Sequence, residues 1–198
     1  MENINFCLLC GDKLVVRKKG DGIHKACASC NFVYRGNYSI GVGACVVKDN
    51  KLLLVRRAQE PGKGYWTTPG GYIEQFEKIS DSIAREVWEE TCVRAVATKI
   101  IGLRDRPQAV HDVYITFEMK YLEGLPQPDG KEVDSAGFFS LDEMESMNVA
   151  DLTLWQVDIV LNSLGGLEED VNAIPNSLMK YDLYRVPKPE NFSNATKE

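Results

Sequence analysis

The pattern of hydrophobic and polar positions predicts a strand-rich chain with one amphipathic helix near its middle. Residues 112–122 alternate between apolar and polar side chains, which is typical of a half-buried strand. Ile79, Ile83 and Val87 instead recur every fourth position, as the buried stripe of a helix does. Other apolar runs predict strands at 42–48, 52–56, 95–103 and 132–140 and a final helix at 152–164.

Short polar and glycine-rich segments predict where these elements end or turn. Asp49-Asn50 separates two β-rich runs and predicts a hairpin. Residues 104–110 contain Pro107 and predict a loop. Ser140 precedes Leu-Asp-Glu and predicts the capped start of a short helix, and Gly165-Gly166 predicts the end of the last one.

Three glutamates on the central helix create an electrostatic problem. Glu86, Glu89 and Glu90 are spaced i, i+3 and i+4 and therefore share one face. Glu86 and Glu90 fall beside the apolar stripe, where crowded carboxylates are costly unless a cation compensates them. A divalent metal would do so, and a carboxylate-rich site without histidine suits Mg²⁺ or Mn²⁺ better than zinc.

Two neighbouring features point to phosphate chemistry. Pro69-Gly70-Gly71 is a turn whose glycines let the backbone approach a ligand or ion closely. Arg85 can hold a carboxylate such as Glu86 with its planar fork.

These residues resemble the signature of the Nudix hydrolases, G-x5-E-x7-R-E-U-x-E-E-x-G-U, where U is aliphatic. The matching positions are Gly71, Glu77, Arg85, Glu86, Val87, Glu89, Glu90 and Val93. Cys92 stands where the pattern has glycine. A glycine there would end the helix in the left-handed conformation, so the departure concerns the helix end and not the carboxylates.

The resemblance implies an α/β (α+β) fold, the Nudix α/β/α sandwich with a mixed sheet, and hydrolysis of a nucleoside diphosphate linked to another group. It implies that Glu86, Glu89 and Glu90 bind Mg²⁺ (or Mn²⁺), with the Gly70 carbonyl and Glu77 as accessory ligands. Arg85 would orient Glu86, and either Glu86 or Glu89 would be the catalytic base. The further candidates for substrate binding are Arg56 and Arg57, whose guanidinium forks fit phosphate, and Glu132, an acidic residue before the last strand.

Four cysteines near the start predict a structural zinc site. Cys7-x2-Cys10 and Cys27-x2-Cys30 are separated by sixteen residues, a spacing that supplies a closed tetrahedral shell of four thiolates. Disulfides are the disfavoured alternative for a chain expected inside the cell. This end resembles the small zinc ribbon that precedes the catalytic domain of some Nudix hydrolases, including relatives of NADH- and FAD-cleaving enzymes. With four cysteines present, His24 is interpreted as a surface residue.

The expected organisation is a ribbon at 1–37, a Nudix domain at 38–165 and a tail at 166–198. No apolar run approaches the roughly eighteen residues of a membrane span, and the start lacks the features of a signal peptide, so we expect a cytoplasmic protein without a membrane partner. Residues 1–37 carry six Lys or Arg against three acidic residues, in a chain of net charge −6. A solvated basic hairpin is the favoured interpretation of this cluster, and nucleic-acid binding is the weaker one.

The sequence leaves the substrate open among ADP-containing diphosphates such as ADP-ribose, FAD or a similar dinucleotide. Pro107 lies fourteen residues beyond Val93, near the position where ADP-ribose-cleaving members tend to have a proline. Residues 100–121 lack the Pro-, Trp- and Phe-rich signature of NADH-cleaving relatives. The alternative function is a non-hydrolytic module that senses nucleotides or binds nucleic acid, and a homodimer is compatible with either function.

Overall fold

The chain forms strands and helices close to the positions that its hydrophobic pattern predicts. A computed structural model describes residues 4–19, 22–162, 165–169 and 184–185, so most of the expected tail lies outside the described residues. The strands are β1 (Leu14–Lys19), β2 (Gly22–Cys27), β3 (Val33–Tyr34), β4 (Tyr38–Lys48), β5 (Lys51–Arg57), β6 (Trp66–Thr67), β7 (Gly70–Tyr72), β8 (Arg94–Arg106), β9 (His111–Glu123), β10 (Val133–Phe139), β11 (Glu168–Glu169) and β12 (Tyr184–Arg185). The helices are α1 (Ile79–Thr91), α2 (Leu141–Met144) and α3 (Asp151–Asn162).

The chain divides into two units. Unit 1 comprises Met1–Ser39 and Asp105–Asp112, and unit 2 comprises Ile40–Arg104 and Val113–Glu198. Within the described ranges, no helix has both the length and the apolar character needed to cross a bilayer.

Unit 1 contains an antiparallel sheet in the order β1-β2-β3, which connects the two cysteine pairs. Leu14 of β1 lies opposite Cys27 of β2, and both pack with Cys7 in a small buried cluster. A residue of positive φ follows each cysteine pair, Gly11 at 78° and Asn31 at 60°. This conformation turns the backbone sharply after the second cysteine of each pair.

Unit 2 contains a mixed sheet in the order β10-β5-β4-β9-β8, with β6 paired to β5 and β7 paired to β4. The predicted hairpin is confirmed, since Lys48 pairs with Lys51 and both Asp49 and Asn50 have positive φ. Such turns match the twist of the flanking strands and favour Asn and Asp. The structure therefore confirms the predicted fold class.

The two faces of this sheet bury different clusters. On one face, Val42 and Phe117 pack with Ile83 and Val87 of α1. On the other face, Leu54 packs with side chains of α2 and α3. The predicted alternation of residues 112–122 is thereby confirmed, because Phe117 faces α1 while its neighbour Thr116 bonds to α3.

One boundary differs from the prediction. The expected loop at 104–110 is wrong at its start, because β8 continues through Arg106. Pro107 follows directly, and proline cannot donate a ladder hydrogen bond, which fits the end of the strand there.

The predicted capped start at Ser140 is confirmed. The Ser140 side chain accepts a hydrogen bond from the Glu143 N–H, while the Glu143 side chain accepts one from the Ser140 N–H.

Helix α1 ends in the left-handed conformation that a glycine at position 92 would be expected to adopt, although the residue there is cysteine. Cys92 has φ 55° and ψ 16°, and its N–H donates to the carbonyl of Trp88. Val93, the next residue, is fully buried and begins the path into β8. The chain therefore reverses direction at a residue that carries a Cβ in an αL position.

We predict that Cys92→Gly is neutral or stabilises the fold by up to about 1 kcal/mol, because glycine adopts this conformation without steric cost. Thermal unfolding measures the effect. Ala84→Gly, in the middle of the same helix, is the control and should destabilise by roughly 1 kcal/mol or more. A clear fall in Tm for Cys92→Gly would contradict the prediction.

Candidate active site

Helix α1 places its glutamates at three different depths. Ile83 and Val87 are fully buried and fix which side of the helix faces the sheet. Glu90 follows them inward and is 8% exposed. The Glu86 side chain is 13% exposed and that of Glu89 is 56% exposed. The predicted position of Glu86 and Glu90 beside the apolar stripe is therefore what the helix adopts.

Strand β7 brings the two glycines of the Pro-Gly-Gly turn against these carboxylates. The Gly70 N–H donates to a carboxylate oxygen of Glu90 at 3.0 Å. A Cβ on Gly71 would lie 2.4 to 2.5 Å from the Glu86 carboxyl group. Glycine at position 71 therefore leaves the space that the Glu86 carboxylate occupies.

The Arg85 guanidinium contacts three carboxylates at once. Its Nε and Nη2 donate to Glu77 at 3.1 and 3.0 Å, while Nη1 donates to Glu86 at 2.8 Å and to Glu89 at 3.0 Å. A further bond reaches the Tyr72 carbonyl at 3.4 Å. The sequence predicts a contact with Glu86 alone. The observed fork links the loop glutamate to two glutamates of the helix.

The carboxylates differ in pKa because their surroundings differ. Burial raises the pKa of Glu90 to about 8, since the Gly70 N–H opposes this shift only partly and Glu86 adds to it. Burial also raises the pKa of Glu86, against the effect of Arg85. Hydrogen bonds from Arg85 and Ser82 lower the pKa of Glu77. Arg85 thus stabilises the ionised form of its partners, whereas the described hydrogen bond to Glu90 comes from the backbone N–H of Gly70.

Two acidic residues before β10 lie near the same glutamates. The negative charges of Glu132 and Asp129 both contribute to the raised pKa of Glu90, after burial and Glu86. Asp129 accepts hydrogen bonds from the N–H groups of Lys131, Glu132 and Val133. The sequence singles out Glu132, but it does not single out Asp129. The sequence Pro128-Asp129-Gly130 predicts a turn, but it does not indicate that this turn lies near the glutamates of α1.

Tyr114 is a second residue that the sequence does not single out. Its ring and hydroxyl fill the space beside three glycines, because a Cβ on Gly41, Gly43 or Gly70 would lie 2.6 to 2.7 Å from Tyr114 atoms. The Arg104 guanidinium lies 5.1 Å from the centre of the ring. Tyr114 therefore packs directly against the turn that bonds Glu90.

A buried polar chain anchors the approach to this turn. The Thr68 hydroxyl donates to Gln156 Oε1 at 2.8 Å, and Gln156 Nε2 donates to the Thr116 hydroxyl at 2.9 Å. All three residues are buried. Because their polar atoms are hydrogen-bonded to one another, these three side chains cost little to bury, and they fix α3 against β9 and the turn.

The two arginines at the end of β5 have different partners. Arg56 Nε donates to Asp134 at 2.6 Å, and its guanidinium lies 5.8 Å from the Trp66 ring. Arg57 Nε donates to the Pro61 carbonyl at 2.8 Å. Trp66 packs edge-on against Phe139 with ring centres 4.8 Å apart, and both side chains pack against the cluster that contains Leu54.

The tightest group of candidate metal ligands is in unit 1. The sulfur atoms of Cys7, Cys10, Cys27 and Cys30 all lie within 4.8 Å of one another. Cys7 and Cys30 are 3.5 Å apart, as are Cys10 and Cys27. This cluster fits the predicted zinc ribbon, and His24 is outside it. No group of carboxylates in the described part of the chain is equally close, since Arg85 lies between Glu77, Glu86 and Glu89.

The donor set around Glu90 nevertheless fits a hard divalent cation. Its oxygen atoms come from carboxylates, which Mg²⁺ and Mn²⁺ prefer. Burial disfavours the ionised form of Glu90 and raises its pKa. A cation beside the carboxylate would favour the ionised form.

Comparisons with known proteins agree with this geometry. An ADP-ribose pyrophosphatase of Methanocaldococcus jannaschii is 30% identical over 112 residues, which cover 55% of this chain and 66% of that protein. A protein of Chromobacterium violaceum named NAD-capped RNA hydrolase NudC is 27% identical over 142 residues, covering 72% of this chain and 52% of that protein. The chain thus spans about half to two thirds of the length of these relatives.

A solved structure shows the same architecture. The NUDIX hydrolase of Nitrosomonas europaea superposes with a TM-score of 0.68 at 27% identity, over 80% of this chain and 94% of that one. The NUDIX domain family matches residues 37–160, a region that contains α1, the Pro-Gly-Gly turn and the whole central sheet. Because this match covers more than half of the sequence, the chain belongs to the NUDIX family.

Proposed function

We propose that the chain hydrolyses the pyrophosphate bond of a nucleoside diphosphate linked to another group, with Mg²⁺ or Mn²⁺ as cofactor. The observation that carries this proposal is the buried Glu90, whose ionised form needs a cation beside it. An ADP-containing compound is the proposed substrate class. Two relatives support it, since one is named for ADP-ribose and the other for an NAD cap, and both of those groups contain ADP.

We assign the metal to Glu86, Glu89 and Glu90, with Glu77 and the Gly70 carbonyl as accessory ligands. A bound divalent ion neutralises charge that develops on the bridging and leaving oxygens of a diphosphate. The side chains supply orientation. Arg85 holds Glu77, Glu86 and Glu89 from one guanidinium, and Gly71 leaves room for the Glu86 carboxylate.

Glu86 is the better candidate for the base that accepts a proton from the attacking water. Burial raises its pKa, and a base of higher pKa accepts a proton more readily near neutral pH. Glu89 is more exposed and shares the Nη1 group of Arg85 with Glu86. In this assignment Arg85 is a positioning residue, because it acts on the carboxylates rather than on the water.

Substrate phosphate is assigned to Arg57 in preference to Arg56. Arg57 lies opposite Val133 at the start of β10, and the Ala58 N–H donates to the Glu132 carbonyl at 2.8 Å. The strand end that carries Arg57 is thus next to Glu132, whose charge acts on both Glu86 and Glu90. Arg56 is paired with Asp134 instead.

Glu90→Gln should lower kcat on ADP-containing diphosphates about 100-fold or more, because it removes an ionised oxygen ligand worth several kcal/mol in the transition state. The assay is a Mg²⁺-supplemented panel of ADP-ribose, FAD, NADH, dinucleoside polyphosphates and nucleoside triphosphates. Glu145→Gln, an exposed glutamate outside α1, is the matched control and should keep wild-type rates. Full activity of Glu90→Gln would remove Glu90 from the site. Absence of turnover by the wild type on every substrate would favour the non-hydrolytic module.

The same variant should be more stable than the wild type without divalent metal at pH 8. The pKa of Glu90 is about 8 when folded and near its ordinary 4.5 when unfolded, so ionisation favours the unfolded chain as the pH rises between these values. The difference in Tm should therefore grow from pH 4.5 to pH 8 and be absent below pH 4.5. Equal Tm values at both ends of this range would contradict the assignment of a buried, uncompensated carboxylate.

Gly71→Ala should lower kcat by roughly tenfold or more while the protein stays folded. The new Cβ displaces the Glu86 carboxyl group, and small misplacements of catalytic groups cost rate steeply. The Glu86 side chain can rotate, so the change in Tm should be small. The control is Gly165→Ala, where the added Cβ meets no atom within 4 Å. Wild-type kcat for Gly71→Ala would show that the Glu86 position is not required.

We also propose that the four-cysteine cluster holds one structural Zn²⁺. Such sites contribute folding free energy directly, and unit 1 has only a small apolar cluster of its own. Metal analysis should give one zinc per chain, and Cys27→Ser should lose the zinc and lower Tm. Cys92→Ser, outside the cluster, should retain the full zinc content. Stoichiometric zinc in Cys27→Ser would exclude the cluster as the site.

A further inference from the structure

Unit 1 contains a pocket of about 360 Å³ whose lining includes none of the residues assigned to hydrolysis. Its walls come from β2, from residues 34–38 and from residues 108–111, all of which belong to unit 1. This volume is within the range of small-ligand sites. Both histidines of the chain, His24 and His111, line it.

Aromatic rings form much of the pocket wall. The rings of Tyr38 and His111 stack with centres 5.5 Å apart and planes inclined by 29°. The Tyr38 hydroxyl donates to the Arg35 carbonyl at 3.2 Å, which fixes the ring against the segment that carries Arg35. Gly36 lies between Arg35 and Tyr38 in the sequence. Its φ is 132°, and a Cβ on Gly36 would lie 2.9 Å from the Tyr38 ring. The bare backbone at Gly36 therefore lets this segment fold closely around the ring.

Two cationic residues, Lys25 and Arg35, line the pocket, and none of its described lining residues is acidic. The His111 imidazole contacts the Asp105 carboxylate, which belongs to unit 1 but does not line the pocket. Lys25 Nζ donates to the Ile4 carbonyl at 2.7 Å and to Asn5 Oδ1 at 3.3 Å. Arg35 is exposed to solvent. This surface differs from the carboxylate-rich surroundings of Glu90, because it can attract an anion without a metal ion.

From these contacts, we infer that the pocket binds a phosphorylated nucleoside at a second nucleotide site. The base stacks on the ring pair of Tyr38 and His111, and the phosphate binds the exposed guanidinium of Arg35. The ligand is either a free mononucleotide or one nucleotide unit of a single-stranded nucleic acid, since both present the same base and phosphate. Binding at this site does not require Mg²⁺.

The two histidines provide a direct readout of this site. Imidazole signals in proton NMR of the full-length zinc-bound protein are followed without Mg²⁺ while AMP, adenosine, inorganic phosphate or a three-nucleotide single-stranded RNA is added. His24→Gln and His111→Gln assign the two signals. The expected result is a saturable shift of both signals with AMP or the RNA, and weaker binding of adenosine and of phosphate alone.

Arg35→Gln should weaken the binding of the nucleotide probe about tenfold or more, because it removes a charge-assisted hydrogen bond to phosphate. Lys120→Gln is the control, since Lys120 is an exposed cation of β9, nine positions beyond His111, that does not line the pocket. The affinity of this control variant for the nucleotide probe should stay within about twofold of the wild-type affinity, because a distant exposed charge is screened by salt. Both variants should keep the Tm of the wild type.

A shift with AMP supports the site and shows that a free nucleotide suffices. A shift with the RNA alone supports the site and assigns it to a nucleic-acid strand. Unchanged imidazole signals with both probes, or equal affinities of Arg35→Gln and Lys120→Gln, would overturn the inference. Turnover is not part of this readout, so the outcome is independent of the hydrolytic role assigned to Glu90.

Discussion

The structure around α1 depends on one constraint, the burial of an acidic side chain next to an apolar stripe. Ile83 and Val87 have to face the sheet, and the helical repeat carries Glu90 inward with them. Arg85 neutralises the neighbouring glutamates, but its described contacts do not include Glu90. Within the described residues, the hydrogen bond to that carboxylate comes from the backbone N–H of Gly70. The fold thus creates a local demand for positive charge that a divalent ion can meet.

The parts of this arrangement that depend on local periodicity could be predicted from the sequence. The helix, its buried face, the Asp49-Asn50 hairpin and the capped turn at Ser140 each follow from residues only a few positions apart. The crowding of Glu86 and Glu90 follows from the same repeat. Asp129 and Tyr114 could not be predicted in this way, because their proximity to the site depends on which strands pair. Strand register is decided by packing across the whole sheet.

Unit 1 shows the same division between local and long-range information. Its cysteine cluster is predictable, since each pair presents two sulfur atoms from one tight turn. The pocket could not be predicted from the sequence. Its wall joins residues 34–38 to residues 108–111, and no local pattern indicates that these two segments lie together. His24 illustrates the limit. Interpreted from sequence as an ordinary surface residue, it lines a concave site with the other histidine of the chain.

Because Tyr114 packs against three glycines, substitutions at these four positions are expected to be correlated among related sequences. A side chain at Gly41, Gly43 or Gly70 would overlap the tyrosine ring or its hydroxyl, so each glycine is tied to the size of residue 114. In a homologue with a small residue at 114, position 43 can acquire a larger side chain, and position 41 can do so with a small shift away from the Gly71 carbonyl, which lies 3.3 Å from its Cβ. Position 70 is more restricted, because a Cβ there also meets the Val42 carbonyl at 2.2 Å. Correlated substitution at 41, 43 and 114, with glycine retained at 70, is the pattern that natural selection should leave in related sequences.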